Sequence, residues 1–238
     1  MSRSTHNRKR CGFGKKRQPQ PAFRAAREHW RSVLELERGT PPIVPPAECQ
    51  VALVYPNTYA VGMSSLGYQM VYRWINDQPG ALAERFFCGE NSTVSVENQR
   101  PIERFDLVAF SIAYELDYLG VVRFLLENSI TPIAAQRDPS AQPIVVAGGI
   151  CLLINRLPIH DLADVLVVGD GEQTVTRLVG EWVASGGQRL QFLKAIQSLE
   201  GVEVTEGACQ RFGLESSPTP VRPHVAEALD AATHILPL

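Results

Sequence analysis

Short apolar runs that stop at glycine, and helix-length stretches between them, predict an α/β fold. A length of 238 residues with 45% hydrophobic content is enough to bury a continuous core without disulfide or metal staples. Together they predict a doubly wound, flavodoxin-like parallel sheet with helices on both faces. A basic N-terminal arm and a small C-terminal hairpin and linker flank it.

The elements follow in order. Residues 1–22 carry Arg8-Lys9-Arg10 and Lys15-Lys16-Arg17 with almost no apolar surface, so they read as a disordered tail. Residues 23–38 read as a helix with Phe23, Trp30, Val33, Leu34 and Leu36 in a partly periodic stripe. Gly39 stops it, and Pro41, Pro42, Pro45 and Pro46 form a stiff link. Val51–Tyr55 is a strand closed by Pro56. Ser64 caps a helix reaching about Asp77, with Leu66, Met70, Val71 and Trp74 on one face. Strands are predicted at 83–87, 106–112, 130–134, 144–147 and 164–168. A helix over 115–128 turns Leu116, Leu119, Val122, Leu125 and Leu126 inward. A further helix opens at Gly171-Glu172 and carries Leu178, Val179 and Trp182. Leu190–Leu199 is helical, and Val202–Thr205 with Ala208–Phe212 reads as a β-hairpin about Glu206-Gly207. A proline-rich stretch then leads to an apolar end at Leu238, which reads as a linker.

Charge and cysteines narrow the function. Residues 1–38 hold eleven Lys or Arg against three Glu, a net of +8, and the rest of the chain sums to −10. The positive charge lies on the tail, whereas a bulk nucleic-acid binder carries it on the folded body. Contact with RNA or an acidic partner through the tail stays open, against a plain solubilising role. Five scattered cysteines fit a reducing cytoplasm and exclude a secreted disulfide framework. No CxxC pair and no CxxxCxxC triplet occurs, and no apolar run reaches the roughly 18 residues of a membrane span.

An open parallel sheet binds ligands beyond the carboxyl ends of its strands. Four loops lie there. The first is Asn57-Thr58-Tyr59-Ala60-Val61-Gly62, leading to Ser64 at a helix start. The second is Ser111-Ile112-Ala113-Tyr114-Glu115-Leu116-Asp117, where the two acids suit a positive helix N-terminus better than catalysis. The third is Gly148-Gly149, a tight turn or bare backbone against a flat ligand. The fourth is Gly169-Asp170-Gly171-Glu172, whose acids would repel phosphate but which can accept hydrogen bonds. No GxSxG elbow, HExxH or GxGxxG after the first strand appears, so the chain holds no self-contained catalytic apparatus.

VALVYPNTYAVGMSSLGYQMVY (51–72), FDLVAFSIAYELDY (105–118) and IVVAGGICLLINRLPIHDLADVLVVGDGE (144–172) together resemble the N-terminal half of radical SAM proteins with a cobalamin (B12)-binding-type domain. The resemblance implies a cobalamin-binding-like domain at 47–187. A tail, helix and proline linker (1–46) precede it. A helix, hairpin and linker (188–238) lead towards a radical SAM barrel supplied in cis or in trans. Histidine-ligating cobalamin domains carry DxHxxG after the first strand; here Asn57 and Tyr59 replace the Asp and His, and Gly62 keeps the closing glycine. A phenol is a poor cobalt ligand at neutral pH, so the resemblance implies cobalamin without an axial histidine, or a pocket that has lost it. S-adenosylmethionine and a 4Fe–4S cluster would come only with the absent barrel. The cofactor-binding set implied is Asn57, Tyr59, Gly62, Ser111, Tyr114, Gly148, Gly149, Gly171 and Glu172. The alternative is a degenerate Rossmann-like interaction domain that binds protein or RNA without a cofactor.

Overall fold

The computed structural model describes residues 21–38, 47–89, 91–169 and 171–216. The basic stretches of the tail, the Gly39 stop with its prolines, Asp170 and the proline-rich C-terminal linker lie outside the described residues.

Six strands form one sheet in the order β2-β1-β3-β4-β5-β6. They are β1 (Cys49–Tyr55), β2 (Ala81–Phe87), β3 (Leu107–Ser111), β4 (Ile144–Gly148), β5 (Val165–Val167) and β6 (Val202–Val204). The first five run parallel, and β6 joins β5 antiparallel at the edge. The parallel strands are near-continuous apolar runs because both faces are covered. One face packs Val51, Leu53, Leu107 and Val165 against Trp30 of α1 (Pro21–Leu36), Tyr68 and Ile75 of α3 (Leu66–Asn76), and Leu178 and Trp182 of α7 (Gly171–Ala184). Phe192 of α8 (Arg189–Ile196) and Cys209 of α9 (Glu206–Phe212) complete that layer. The other face packs Val54, Phe110 and Leu166 against Phe124 and Leu125 of α4 (Asp117–Glu127), Cys151 of α5 (Ile150–Ile154) and Ile159 of α6 (Leu157–His160). The fold is the doubly wound, flavodoxin-like α/β sheet that the sequence predicts.

Several local expectations are corrected. The helix from Ser64 is two helices, α2 (Tyr59–Ser64) and α3. Ser64 closes α2, donating to the Val61 carbonyl at 2.6 Å, and Ser65 caps α3 by accepting from the Tyr68 N–H. Tyr68 and Ile75 are the buried residues of α3, while Leu66 and Met70 face outwards. The strand expected at 130–134 is absent: a 3-10 turn at Ala134–Gln136 stands at its end, and Pro132 has no N–H to give a ladder. In α4 the stripe Val121-Phe124-Leu125 faces the sheet, so Leu116, Leu119 and Leu126 point away from it. The hairpin at 202–212 has one arm only: β6 is a strand, but 206–212 is α9. Thr205 caps that helix by accepting from the Ala208 N–H, and Gly213 closes it in the left-handed region.

Candidate functional site

The carboxyl end of the sheet is built from the loops after β1, β3, β4 and β5. Ser111 stands opposite Gly148 across β3 and β4. The Ile112 N–H continues that ladder by donating to the Gly148 carbonyl at 2.8 Å. Gly149 has φ +123°, and an added Cβ would lie 2.2 Å from the Ile112 carbonyl oxygen, so only glycine lets α5 start against β3. At Gly148 an added Cβ would meet the Val167 Cβ at 3.5 Å, an ordinary contact. The pair therefore divides its work: Gly149 closes the packing, and Gly148 leaves bare backbone at the rim.

Asn57 ties the first loop to the second. Its side-chain amide donates to Asp117 Oδ1 at 3.1 Å, and its oxygen accepts from the Thr58 N–H at 2.8 Å. Asp117 Oδ2 accepts from the Tyr114 N–H at 3.2 Å. Asp117 stands in the first turn of α4, at the helix N-terminus where the sequence pattern places an acid, and being buried it also serves as a positioning link. Gly120 locks the same junction, because a Cβ there would lie 2.1 Å from the Pro56 carbonyl oxygen. The Tyr118 hydroxyl donates to the Asn155 carbonyl at 2.6 Å, tying α4 to the end of α5. Gly171 and Glu172 open α7 beyond β5; Gly171 sits beside the Trp74 ring, and Glu172 is exposed.

Two expected site residues do not face this rim. The Tyr59 hydroxyl donates to Glu37 at 2.5 Å, and its ring packs against Trp30 and Phe87. Burial and the Glu37 hydrogen bond push its phenol up to about 12. Gly62 is buried in α2, where a Cβ would lie 2.4 Å from the Phe87 ring, so the glycine lets α2 pack closely on β2.

The rim is apolar and open to water. Leu116 is 82% exposed and Leu119 74%, with Tyr114, Ile150 and Ile154 also exposed and Leu157 following at the start of α6. Sequence reasoning places the leucines in the core; the signal against it is the i, i+3, i+4 stripe 121/124/125, which excludes positions 116, 119 and 126. A cavity of about 40 Å³ lies below the rim, between the sheet and helices α3 and α7, lined by Val51, Leu107, Val146, Val167, Ile75 and Val175 among others. It is apolar and far smaller than a corrin or its nucleotide base. Among the described residues no group of three or more His, Cys, Asp or Glu is placed to hold a metal ion. No helix among them is long and apolar enough to cross a membrane.

Residues 67–204, from α3 to β6, match the family model of radical SAM proteins, N-terminal. The chain belongs to this family. Uncharacterized protein MJ0966 of Methanocaldococcus jannaschii is 28% identical over 122 residues, covering 51% of this chain and 24% of the relative. The chain spans about a quarter of that relative's length. No solved structure matches. The radical SAM N-terminal match spans the loops after β3, β4 and β5, which form most of the rim.

Proposed function

We propose that this radical SAM N-terminal domain is the accessory module of a radical SAM enzyme, and that its strand-end rim holds a cobalamin against the catalytic domain. The observation that carries the reading is the exposed apolar rim around Ser111 and Gly148. Apolar side chains gathered at the ligand end of such a sheet suit a broad flat group and a covering partner, and water is a poor permanent neighbour for them.

The residues fit a cobalamin held by contact area and do not fit one ligated from below. Tyr59 occupies the ligand position in sequence, but its side chain is committed to Glu37. A bound cobalamin would supply methyl- or radical-transfer chemistry, while S-adenosylmethionine and an iron–sulfur cluster would belong to the catalytic domain. The chain's own share is positional. Gly148 leaves the backbone bare, and Ser111 offers a hydroxyl at the strand end. The Asn57–Asp117–Tyr114 link holds the two loops at a constant spacing.

The test is titration of hydroxocobalamin into wild type, Gly148→Phe and Tyr59→His, read by visible absorption. Electron paramagnetic resonance of the cob(II)alamin form, with isotopically labelled protein, tells protein nitrogen from the cofactor's own base. The expected result is binding by wild type, a loss of about tenfold or more in affinity for Gly148→Phe, and no protein nitrogen on cobalt. Tyr59→His should also give none, because the side chain points to α1. Absence of binding at millimolar concentration, with a catalytic domain supplied in trans, would move the conclusion to the second reading. That reading is a cofactor-free interaction domain whose apolar rim docks a protein, and Tyr59's engagement favours it.

A further inference from the structure

The two helix layers that cover the sheet differ on their outer faces. In the layer of α7 the side chains turned to water are Glu172, Gln173 and Arg177, the polar back of a helix packed on one side only. In the layer of α4, α5 and α6 the outer face is apolar. α4 gives Val121, Phe124 and Leu125 to the sheet. On its far side Leu116, Leu119 and Leu126 stand exposed at i, i+3 and i+10, with Arg123 at i+7. Arg123 Nε donates to Glu127 at 2.7 Å, so the one charge in the stripe is paired within the helix. α5 and α6 are short, and Ile154 and Leu157 are exposed on them.

A group bound at the strand ends does not account for this face. α4 starts beyond the carboxyl end of β3 and runs back along the sheet, so Leu126 lies about 10 Å further down the helix than Leu119. Leu126 is nonetheless 61% exposed, and Ile133, past the end of α4, is exposed as well. A stripe that follows a whole helix is covered by another protein surface of the same length, whereas a ligand on the rim reaches only its top. Two observations choose that surface. The chain belongs to a family of N-terminal domains of radical SAM proteins, and the match to the Methanocaldococcus jannaschii relative covers only 24% of that protein. The stripe is also continuous with the rim, because Leu116 belongs to both, so a body that closes over the rim meets Leu119 next.

We propose that the outer face of α4, continued by Ile154 and Leu157, packs against an apolar surface of the catalytic part of the radical SAM protein. The contact rests on the accessory-module reading but not on cobalamin: it is protein against protein and forms with the rim empty. The polar back of α7 stays in water, so the domain is held from one side.

The test is made without cobalamin, so that it can succeed where the cobalamin reading fails. The 238-residue chain is titrated with the catalytic part of the radical SAM protein and followed by calorimetry. Saturable binding is expected, with a loss of about tenfold or more in affinity for Leu126→Arg and for Ile154→Arg, and no change for Arg177→Ala on the opposite layer. Both arginine variants replace side chains that already stand in water, so they should melt as wild type does. Hydroxyl-radical footprinting with the two parts joined in one chain gives a second readout. Leu119 and Leu126 should lose most of the oxidation they show in the 238-residue chain alone, and Leu190 of α8 should be oxidised equally in both. Wild-type affinity in Leu126→Arg, or equal oxidation of Leu126 in the two proteins, would overturn the proposal. So would a 238-residue chain that dimerises in sedimentation and becomes monomeric on Leu126→Arg, because the face would then belong to a second copy. Binding that appears only once cobalamin is added would overturn it too, since the contact would run through the rim.

Discussion

At the carboxyl end of the sheet leucines and isoleucines stand in water; at the amino end arginines are sealed from it. Leu116 and Leu119 contribute little to the core, because α4 turns Val121, Phe124 and Leu125 towards the strands. Arg137 and Asp164, by contrast, are enclosed among carbonyls and an opposite charge. Exposed apolar side chains gathered at one end add nothing to an isolated domain and mark a surface that meets something else. Buried charge costs desolvation and is kept where partners repay it.

The comparison can be broken in four ways, from the largest effect down. Asp164→Asn leaves Arg137 and Arg211 without their counter-charge and should cost about 3–5 kcal/mol in denaturant unfolding; an unchanged midpoint would show the amino-end cluster to be solvated. Leu125→Ala empties a core position and should cost about 2–5 kcal/mol. The same truncation at Leu116 or Leu119 should stay within about 0.5 kcal/mol. Equal costs for the three leucines would mean that the rim is packed rather than open. Gly149→Ala forces a side chain into a backbone region reserved for glycine and onto the Ile112 carbonyl, and should cost about 1–3 kcal/mol. Gly148→Ala, where a Cβ has room, should be near neutral in the same melt.

The smallest effect is a pH dependence at the junction of α1 with the sheet. Burial works against the Glu37 carboxylate, but the hydrogen bonds from Arg85 and Tyr59 outweigh it and hold Glu37 below the usual carboxylate range. A depressed carboxylate stabilises the fold above its ordinary value and loses that contribution as pH falls through its folded value. The part carried by Glu37 is therefore complete at neutral pH and disappears only in acid. Glu97, raised by its burial although Arg85 opposes the shift, acts with the opposite sign. Glu37→Gln isolates the first effect: stability should fall by about 1 kcal/mol or less at pH 7, and the difference from wild type should vanish in acid.

Much of the architecture can be read from the chain before folding. The apolar runs at 51–55, 106–112, 144–147 and 164–168 announce a parallel sheet because strands covered on both faces need no alternation. The glycines at 148 and 149 likewise announce a strand end. The amphipathic period of α4 was readable too, but in a helix rich in leucine several stripes compete, and contact with the sheet chooses among them. Gly62 looked like a loop glycine because sequence does not show that Phe87, 25 positions on, lies against it. The stretch 206–212 looked like half a hairpin because Glu-Gly suits a turn as well as a helix start, and the cap from Thr205 appears only once the chain has folded.

The sequence by itself determined the fold class, the strand ends whose loops form the rim, and the Asn57-x-Tyr59 pattern after the first strand, since each depends on residue type and local spacing. Only the tertiary structure decided where Tyr59 points, which leucines reach water, and that Arg211 is buried beside Arg137. Those outcomes depend on which distant residues meet. Tyr59 meets Glu37, 22 residues before it, and Asp164 draws in Arg137 and Arg211 from either side in sequence. Contacts over such separations are set by how the helices close on the sheet, and no local pattern of residues records them.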